Sequence, residues 1–450
     1  MNELLKQLNF QCLYFRGESY DQVNVENAID HLTKYLQKSF RSSSPFVFFL
    51  AHNHIKTVIA YYAILKAGKI AVIIDPQTKK LEYDETFYEL YPSAVINIDA
   101  QTIKFDYRNE ILFYNENPYL EIRTDLSDVC TLAYTNAEDG YSKAAMLSEK
   151  NLIMEARGLK ETTFLYDSSV ACALLPYSHL YGFAHGVLTP TLANGKGLII
   201  EVNLLRMEEI LSEIKEIRVT NLYTVPSIYY ILSKTPGLAE SFQFIQRFYS
   251  GGIQLNKFIY DNFYKKTGKK ICEGYGLTEA SPAIAGPYDN PVFGSFGRAF
   301  PGCEIKIVNE GGKELLPGDI GEIIVKGDMV FKGYFNCPEA TKAVLRNDWL
   351  FTGDLGKKDF DGNIYFCGLK KNMINIAGNK LYPQKLIRLI KMNNNVESVE
   401  IGYETSLLQG STPTSRIRLK KDSPKLRNDL KYWCYSNINN SILPKIWKFE

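Results

Sequence analysis

Apolar residues at Val25, Ala28, Ile29, Leu32, Tyr35, Leu36 and Phe40 recur every three or four positions, which lays one apolar stripe along a helix. The unbroken run PFVFFL that follows predicts a buried strand. From His54 to Ala67 the spacing is helical again, and it stops at Gly68, a residue suited to the turn just past a helix end. IAVII predicts a second strand ending at Asp75-Pro76, and after a further helical stretch AVINI predicts a third. Short apolar strands alternating with helices need crossover connections, so the sheet is expected to be parallel and covered on both faces. The fold class is α/β, with doubly wound sheets in a large N-terminal domain.

Further along, the pattern changes. GSFGRAFPGCEIKIVNEGGKELLPGDIGEIIVKGDMVFKGYFNCPEAT is rich in Gly, Pro and alternating β-type residues, which predicts a small β subdomain. About residues 372 to 450 should form a small α/β unit.

Composition narrows the classes. At 450 residues the chain is long enough for an extensive core and more than one domain. Hydrophobics at 45% and charged residues at 23% are ordinary, with 30 Tyr and 25 Phe on the high side. A net charge of +2 argues against a general polyanion binder, and the densest basic stretch, Lys265 to Lys270, reads as a solvated helix end, so no nucleic acid partner is expected. Eight scattered cysteines with no C-x-x-C make zinc and a disulfide framework unlikely candidates. MNELLKQLNF lacks the apolar core of a signal peptide and no apolar run reaches membrane-span length, so a cytoplasmic location without a membrane span is expected. His52 and His54 lack ligand-type neighbours at metal-binding spacing and read as loop histidines.

Candidate chemistry begins between Leu132 and Leu152, LAYTNAEDGYSKAAMLSEKNL, where a β-type run, a turn, Lys143 and a second β-type run follow in quick succession. Farther on come GYGLTEASP, Gly274 to Pro282, and WLFTGDLGKKDFDGNIYFCG, which contains Asp354. These stretches resemble the acyl-adenylate-forming superfamily, the AMP-dependent synthetases and ligases that include acyl-CoA synthetases. In that family the first stretch is the phosphate loop YTSGTTGxPKGxxLSHxNL. Tyr134, Thr135, Gly140, Lys143, Met146, Leu147, Ser148, Asn151 and Leu152 match it, while Asn136, Ala137, Glu138, Asp139, Ser142, Ala144 and Glu149 depart from it. LKAGKIAVIIDP resembles the shared LKAGAxxxPLDP, and ACALLPYSHLYGFAHG resembles LPLxHxxG. RFYSGGIQL matches the family's SGG turn, and GYGLTEASP is an undamaged copy of YGxTE.

The resemblance implies roles. Lys143 and Thr135 with Gly140 would hold phosphate, and Gly251, Gly252, Gly274 and Gly276 would let backbone approach the nucleotide. Tyr275 would lie against adenine, Thr278 would contact the α-phosphate, Glu279 would help hold Mg²⁺, and Asp354 would accept from both ribose hydroxyls. His179 becomes a substrate-side residue, its alternative role being a cap on the following helix. Lys371 falls at the hinge of the C-terminal lid, which divides the chain at residues 1–370 and 371–450. The implied cofactors and partners are ATP or AMP, Mg²⁺, a small carboxylic acid, and CoA or an acyl carrier protein as thiol acceptor.

Three departures pull the other way. Glu138 and Asp139 stand where phosphate should sit, and each carboxylate at roughly 6 Å would cost about 3 kcal/mol at an effective dielectric of ~20 unless it holds a Mg²⁺ that bridges to phosphate. Leu369 replaces an arginine that reaches the nucleotide and cannot donate a hydrogen bond. SILPKIWKFE resembles the run just before the family's last motif, PxTxxGKxxR, whose lysine is therefore expected to be missing; neither Lys445 nor Lys448 has its spacing. Two readings stay open: a working acyl-adenylate ligase, and a degenerate homologue that binds an acyl, nucleotide or carrier ligand without forming adenylate.

Overall fold

The computed structural model describes residues 3–450 except 119, 137–141, 289, 290, 371–373, 377, 378, 382, 407–409 and 441. The predicted alternation forms a six-stranded sheet in the spatial order Ile111–Phe113, Ala94–Ile96, Phe46–Leu50, Ile70–Ile74, Val129–Asn136, Ser142–Ser148. Its four inner strands are parallel, and the last two are an antiparallel hairpin that brackets the phosphate-loop stretch. The PFVFFL and IAVII segments are buried strands because helices cover both faces.

A seven-stranded sheet follows, ordered Ile271–Glu273, Arg247–Ser250, Asn221–Thr224, Val170–Ala173, Lys196–Ile199, Cys12–Phe15, Glu18–Asp21, parallel except at the last pair. The helix Ile55–Lys66 is buried along all but its last residue, as its nearly continuous apolar character requires. His54 caps its start, accepting from the Lys56 N–H at 3.0 Å, so this histidine is structural. Asn53 ties the two sheets at the ends of their strands: its amide donates to the carbonyls of Leu175 and Ile200 at 2.7 and 2.9 Å and accepts from the Tyr177 N–H at 2.8 Å. In doubly wound folds ligands settle at this end of the strands.

The β subdomain is a five-stranded sheet including Cys303–Val308, Gly321–Gly327, Trp349–Lys358 and Ile364–Leu369. The C-terminal part is another five-stranded sheet with helices Pro383–Lys391 and Pro424–Asn437, around its own core of Leu386, Leu389, Ile417, Leu430, Cys434 and Leu443. Each of the eight cysteines is a free thiol. Among the described residues no helix is long and apolar enough to cross a membrane.

One buried group has a measurable consequence. Glu155, in the helix Glu149–Thr162, is fully buried, and neither carboxyl oxygen has a partner among the described residues. Desolvation raises its pKa well above the ordinary value of 4.5, so the native state holds the proton. The unfolded chain releases that proton as pH rises past 4.5, so Glu155 contributes its stability at low pH and loses it toward the raised native pKa. The native stability should therefore fall relative to that of Glu155→Gln by up to about 1.4 kcal/mol per pH unit between pH 5 and 8. Urea unfolding of both proteins at several pH values measures this. Glu273, pushed up to about 7 by burial, acts in the same direction in both proteins and cancels.

Candidate active site

The sequence GYGLTEASP folds into a tight turn because backbone packs on backbone there. A Cβ at Gly276 would fall 1.7 Å from the Pro282 carbonyl oxygen, so only glycine fits. The turn continues into the short helical segment Thr278–Ala280, which presents Thr278 and Glu279 to a cavity of about 140 Å³. Gly251, Gly252, Gly274, Tyr275, Gly276, Thr135 and His179 line the same cavity. Glycine is needed at Gly251 for a reason the sequence did not suggest: a Cβ would lie 2.9 Å from the Tyr181 ring. Gly252 adopts a left-handed φ of 81°.

Glu279 is nearly buried, and its carboxylate accepts from the Tyr334 hydroxyl at 2.8 Å. Among the described residues no cluster of three His, Cys, Asp or Glu side chains could hold a metal alone. A single oriented carboxylate is what Mg²⁺ needs when substrate phosphates complete its coordination, so the donor set suits that ion.

His179 is a helix cap that also lines the cavity. Its ring accepts from the Tyr181 N–H at 3.2 Å at the start of the turn Leu180–Phe183. Burial pushes its pKa below the usual range, so the imidazole is neutral at pH 7.

Gly252, Gly274, Tyr275 and Gly276 also form one side of an adjoining cavity of about 50 Å³, whose other side is Phe296, Asp354, Phe366 and Leu369. Asp354 is buried in the strand Trp349–Lys358 and accepts from the Tyr275 hydroxyl at 2.7 Å. The Tyr275 ring in turn stacks on Phe296, centroids 5.2 Å apart and planes at 11°. Leu369 lies directly opposite Asp354 in the strand register. The side chain that departs from the family pattern thus sits beside the carboxylate that keeps it. The next residue does not stand in as a cation, because the Lys370 ammonium pairs with Glu322 at 2.5 Å.

The phosphate-loop hairpin sets Lys143 opposite Thr135 on paired strands, and both side chains therefore share a face. Lys143 is buried, beside Glu89, whose carboxylate accepts from Tyr134 at 2.8 Å. Gly140, Glu138, Asp139 and Lys371 lie outside the described residues.

Sequence reasoning missed an acidic face that leads away from this hairpin. Glu82, Glu85 and Glu89 follow at spacings of three and four along the helix Lys80–Leu90, which aligns them on one side. Glu82 takes Lys385 at 2.7 Å, Lys385 also donates to Ser142 at 2.8 Å, and Arg388 forks onto Glu85 at 2.5 and 3.0 Å. The C-terminal helix Pro383–Lys391 is thereby held against the hairpin that carries Lys143. Lys385→Ala should cost about 3 kcal/mol by stranding the nearly buried Glu82, and Lys385→Met with Glu82→Leu should recover most of it. A double-mutant cycle by urea denaturation reads the difference.

A neutral histidine and a Thr-Glu turn thus line one cavity, and a buried carboxylate lines the pocket that adjoins it. The profile of the AMP-binding enzyme family matches residues 6–335, and the chain belongs to that family. It is 28% identical to a long-chain-fatty-acid–CoA ligase of Bacillus subtilis (strain 168), an alignment that covers 93% of this chain and 84% of the relative. It is 30% identical to the long-chain-fatty-acid–CoA ligase of Haemophilus influenzae over 73% of this chain and 60% of that protein. The fold superposes on the amide bond synthetase McbA of Marinactinospora thermotolerans with a TM-score of 0.86 at 17% identity, covering 100% of this chain and 96% of that one. A malonyl-CoA ligase ternary product complex with methylmalonyl-CoA and AMP bound gives a TM-score of 0.84 at 22% identity, over 99% and 96%.

Proposed function

We propose that the chain is an acyl-adenylate-forming ligase that activates a carboxylic acid with ATP and transfers the acyl group to the thiol of CoA. The observation that carries this reading is the shared wall of Gly252, Gly274, Tyr275 and Gly276, which joins the Asp354 pocket to the cavity bearing Thr278, Glu279 and His179. A nucleoside in the first pocket would place its α-phosphate at the second, next to an acid.

In the first half-reaction a carboxylate oxygen bonds to the α-phosphorus, the bond to the β-phosphate oxygen breaks, and pyrophosphate leaves. In the second, the thiol sulfur bonds to the acyl carbon and AMP departs. Asp354 accepts from the ribose hydroxyls, Tyr275 lies against adenine, and Thr278 donates to the α-phosphate. Lys143 with Thr135 holds the outer phosphates. His179, neutral and fixed by its cap, forms the acid-side wall. Glu279 would hold a Mg²⁺, which when bound would supply positive charge to the phosphates. Support for the acid and CoA comes from the relatives' names, and an acyl carrier protein is the alternative thiol.

Calorimetric titration with Mg-ATP, metal-free ATP and AMP tests the nucleotide site. Mg-ATP should bind more tightly than metal-free ATP, and AMP should bind in either condition. Failure of both Mg-ATP and AMP to bind would overturn the reading.

A further inference from the structure

The cavity under the Gly274–Glu279 turn has a far end that phosphate chemistry leaves unused. Leu159 and Thr162 of the helix Glu149–Thr162 line it, and Phe300 closes it: a Cβ added at Gly158 would lie 2.4 Å from the Phe300 ring, and one at Gly286 would lie 3.2 Å away. The whole cavity is about 140 Å³. A protein cavity of roughly 150 Å³ takes one benzene, and the Thr278–Glu279 side of this one is given to phosphate, so the far end has room for one ring at most and none for a long alkyl chain.

His185 is the distinctive polar group of this wall. It stands in a single π-helical turn, Ala184–Leu188, a distortion that recurs at functional sites. Its Nδ1 lies 2.9 Å from the Tyr181 carbonyl oxygen, and against a carbonyl it can only donate. Nε2 therefore carries the lone pair, and burial, which pushes the pKa down to about 3, keeps the ring neutral. The ring lies 4.6 Å from Tyr223, which stacks on Tyr249 at 5.0 Å. Tyr249 and Ser250, in the same lining, have buried hydroxyls without a partner among the described residues.

This arrangement selects by chemistry. An acceptor nitrogen on the cavity wall suits a ligand hydroxyl, which gives it a hydrogen. No Lys or Arg is among the lining residues, so a second carboxylate would be buried unpaired. The lining's one acid is Glu279, on the phosphate side, which leaves no carboxylate for an α-amino group at the far end.

We propose that the acid bound here is about one ring in size, uncharged apart from its reacting carboxylate, and carries a hydroxyl that docks on His185. This inference rests on the ligase reading only for placing the carboxylate at Thr278 and His179. It departs from the long-chain acids in the relatives' names.

The test is calorimetric binding of acids in the presence of AMP, with acid-dependent pyrophosphate exchange measured in parallel. The probes are benzoate, its 2-, 3- and 4-hydroxy derivatives, malonate and hexadecanoate. At least one hydroxybenzoate should bind about tenfold more tightly than benzoate, and malonate and hexadecanoate should bind more weakly than either. His185→Leu should erase the hydroxyl preference, while His185→Gln, which keeps an acceptor, should retain part of it. Hexadecanoate or malonate binding best, no preference for a hydroxyl, or no acid binding while AMP still binds would each overturn the proposal. The wild-type series decides this even if a variant does not fold. A hydroxybenzoate that binds without supporting exchange would uphold the proposal and overturn the ligase reading instead.

Discussion

Asp354→Asn is expected to weaken AMP and ATP binding about 100-fold while leaving the thermal midpoint within a few degrees of the native one. The amide oxygen can still accept from the Tyr275 hydroxyl, the partner that Asp354 holds at 2.7 Å, so the stacked pair of Tyr275 and Phe296 keeps its anchor. In the proposed role of Asp354, what the substitution removes is the charged acceptor for two ribose hydroxyls. Hydrogen bonds to charged groups are worth about 1.5–3 kcal/mol each, and losing roughly 3 kcal/mol in total gives the stated factor. Calorimetry with AMP measures the binding, and a melting curve separates it from unfolding. An unchanged affinity with an unchanged midpoint would remove Asp354 from the nucleotide site.

Glu279→Gln is expected to lower kcat for adenylate formation by about 10²–10³ while changing AMP affinity little. Glutamine fills the same space and can accept from Tyr334 through its amide oxygen, so the turn Thr278–Ala280 stays in place. It loses the negative charge that the Mg²⁺ of the nucleotide needs, and a neutral amide is a poor ligand for that ion. Steady-state kinetics at rising Mg²⁺ should therefore show a kcat that excess metal does not restore. Full rescue by metal would mean that Glu279 tunes affinity for the ion and nothing more.

Much of the fold was legible because its signals are local. The spacing of apolar residues gave the helix Gln22–Ser39, and the unbroken runs PFVFFL and IAVII gave adjacent parallel strands. The GYGLTE string announced its own turn, since glycine at position 276 is demanded by a neighbour only six residues away, Pro282. The capping role of His179 was legible, and the structure adds that its ring lines the cavity.

What stayed hidden depends on pairings between distant segments. That Leu369 faces Asp354 follows from strand register, which no local spacing encodes. The acidic face of Glu82, Glu85 and Glu89 went unremarked, since Lys385 and Arg388, the partners of Glu82 and Glu85, lie about three hundred residues away. His185 lay within a quoted motif, where nothing singled it out. In the structure it stands in a π-helical turn and its ring lines the cavity under the Gly274–Glu279 turn. The buried carboxyl of Glu155 left no trace in the pattern, because a glutamate in a helix ordinarily marks the solvent side.

The central claim is that this chain makes an acyl-adenylate, and acid-dependent exchange of labelled pyrophosphate into ATP tests it most directly. The account predicts exchange that requires Mg²⁺ and a carboxylic acid, is highest with a ring-sized hydroxy acid, and falls at least a hundredfold in Glu279→Gln. Binding of AMP and of acid with no exchange across the series would contradict it, and would leave a protein that holds both ligands without joining them.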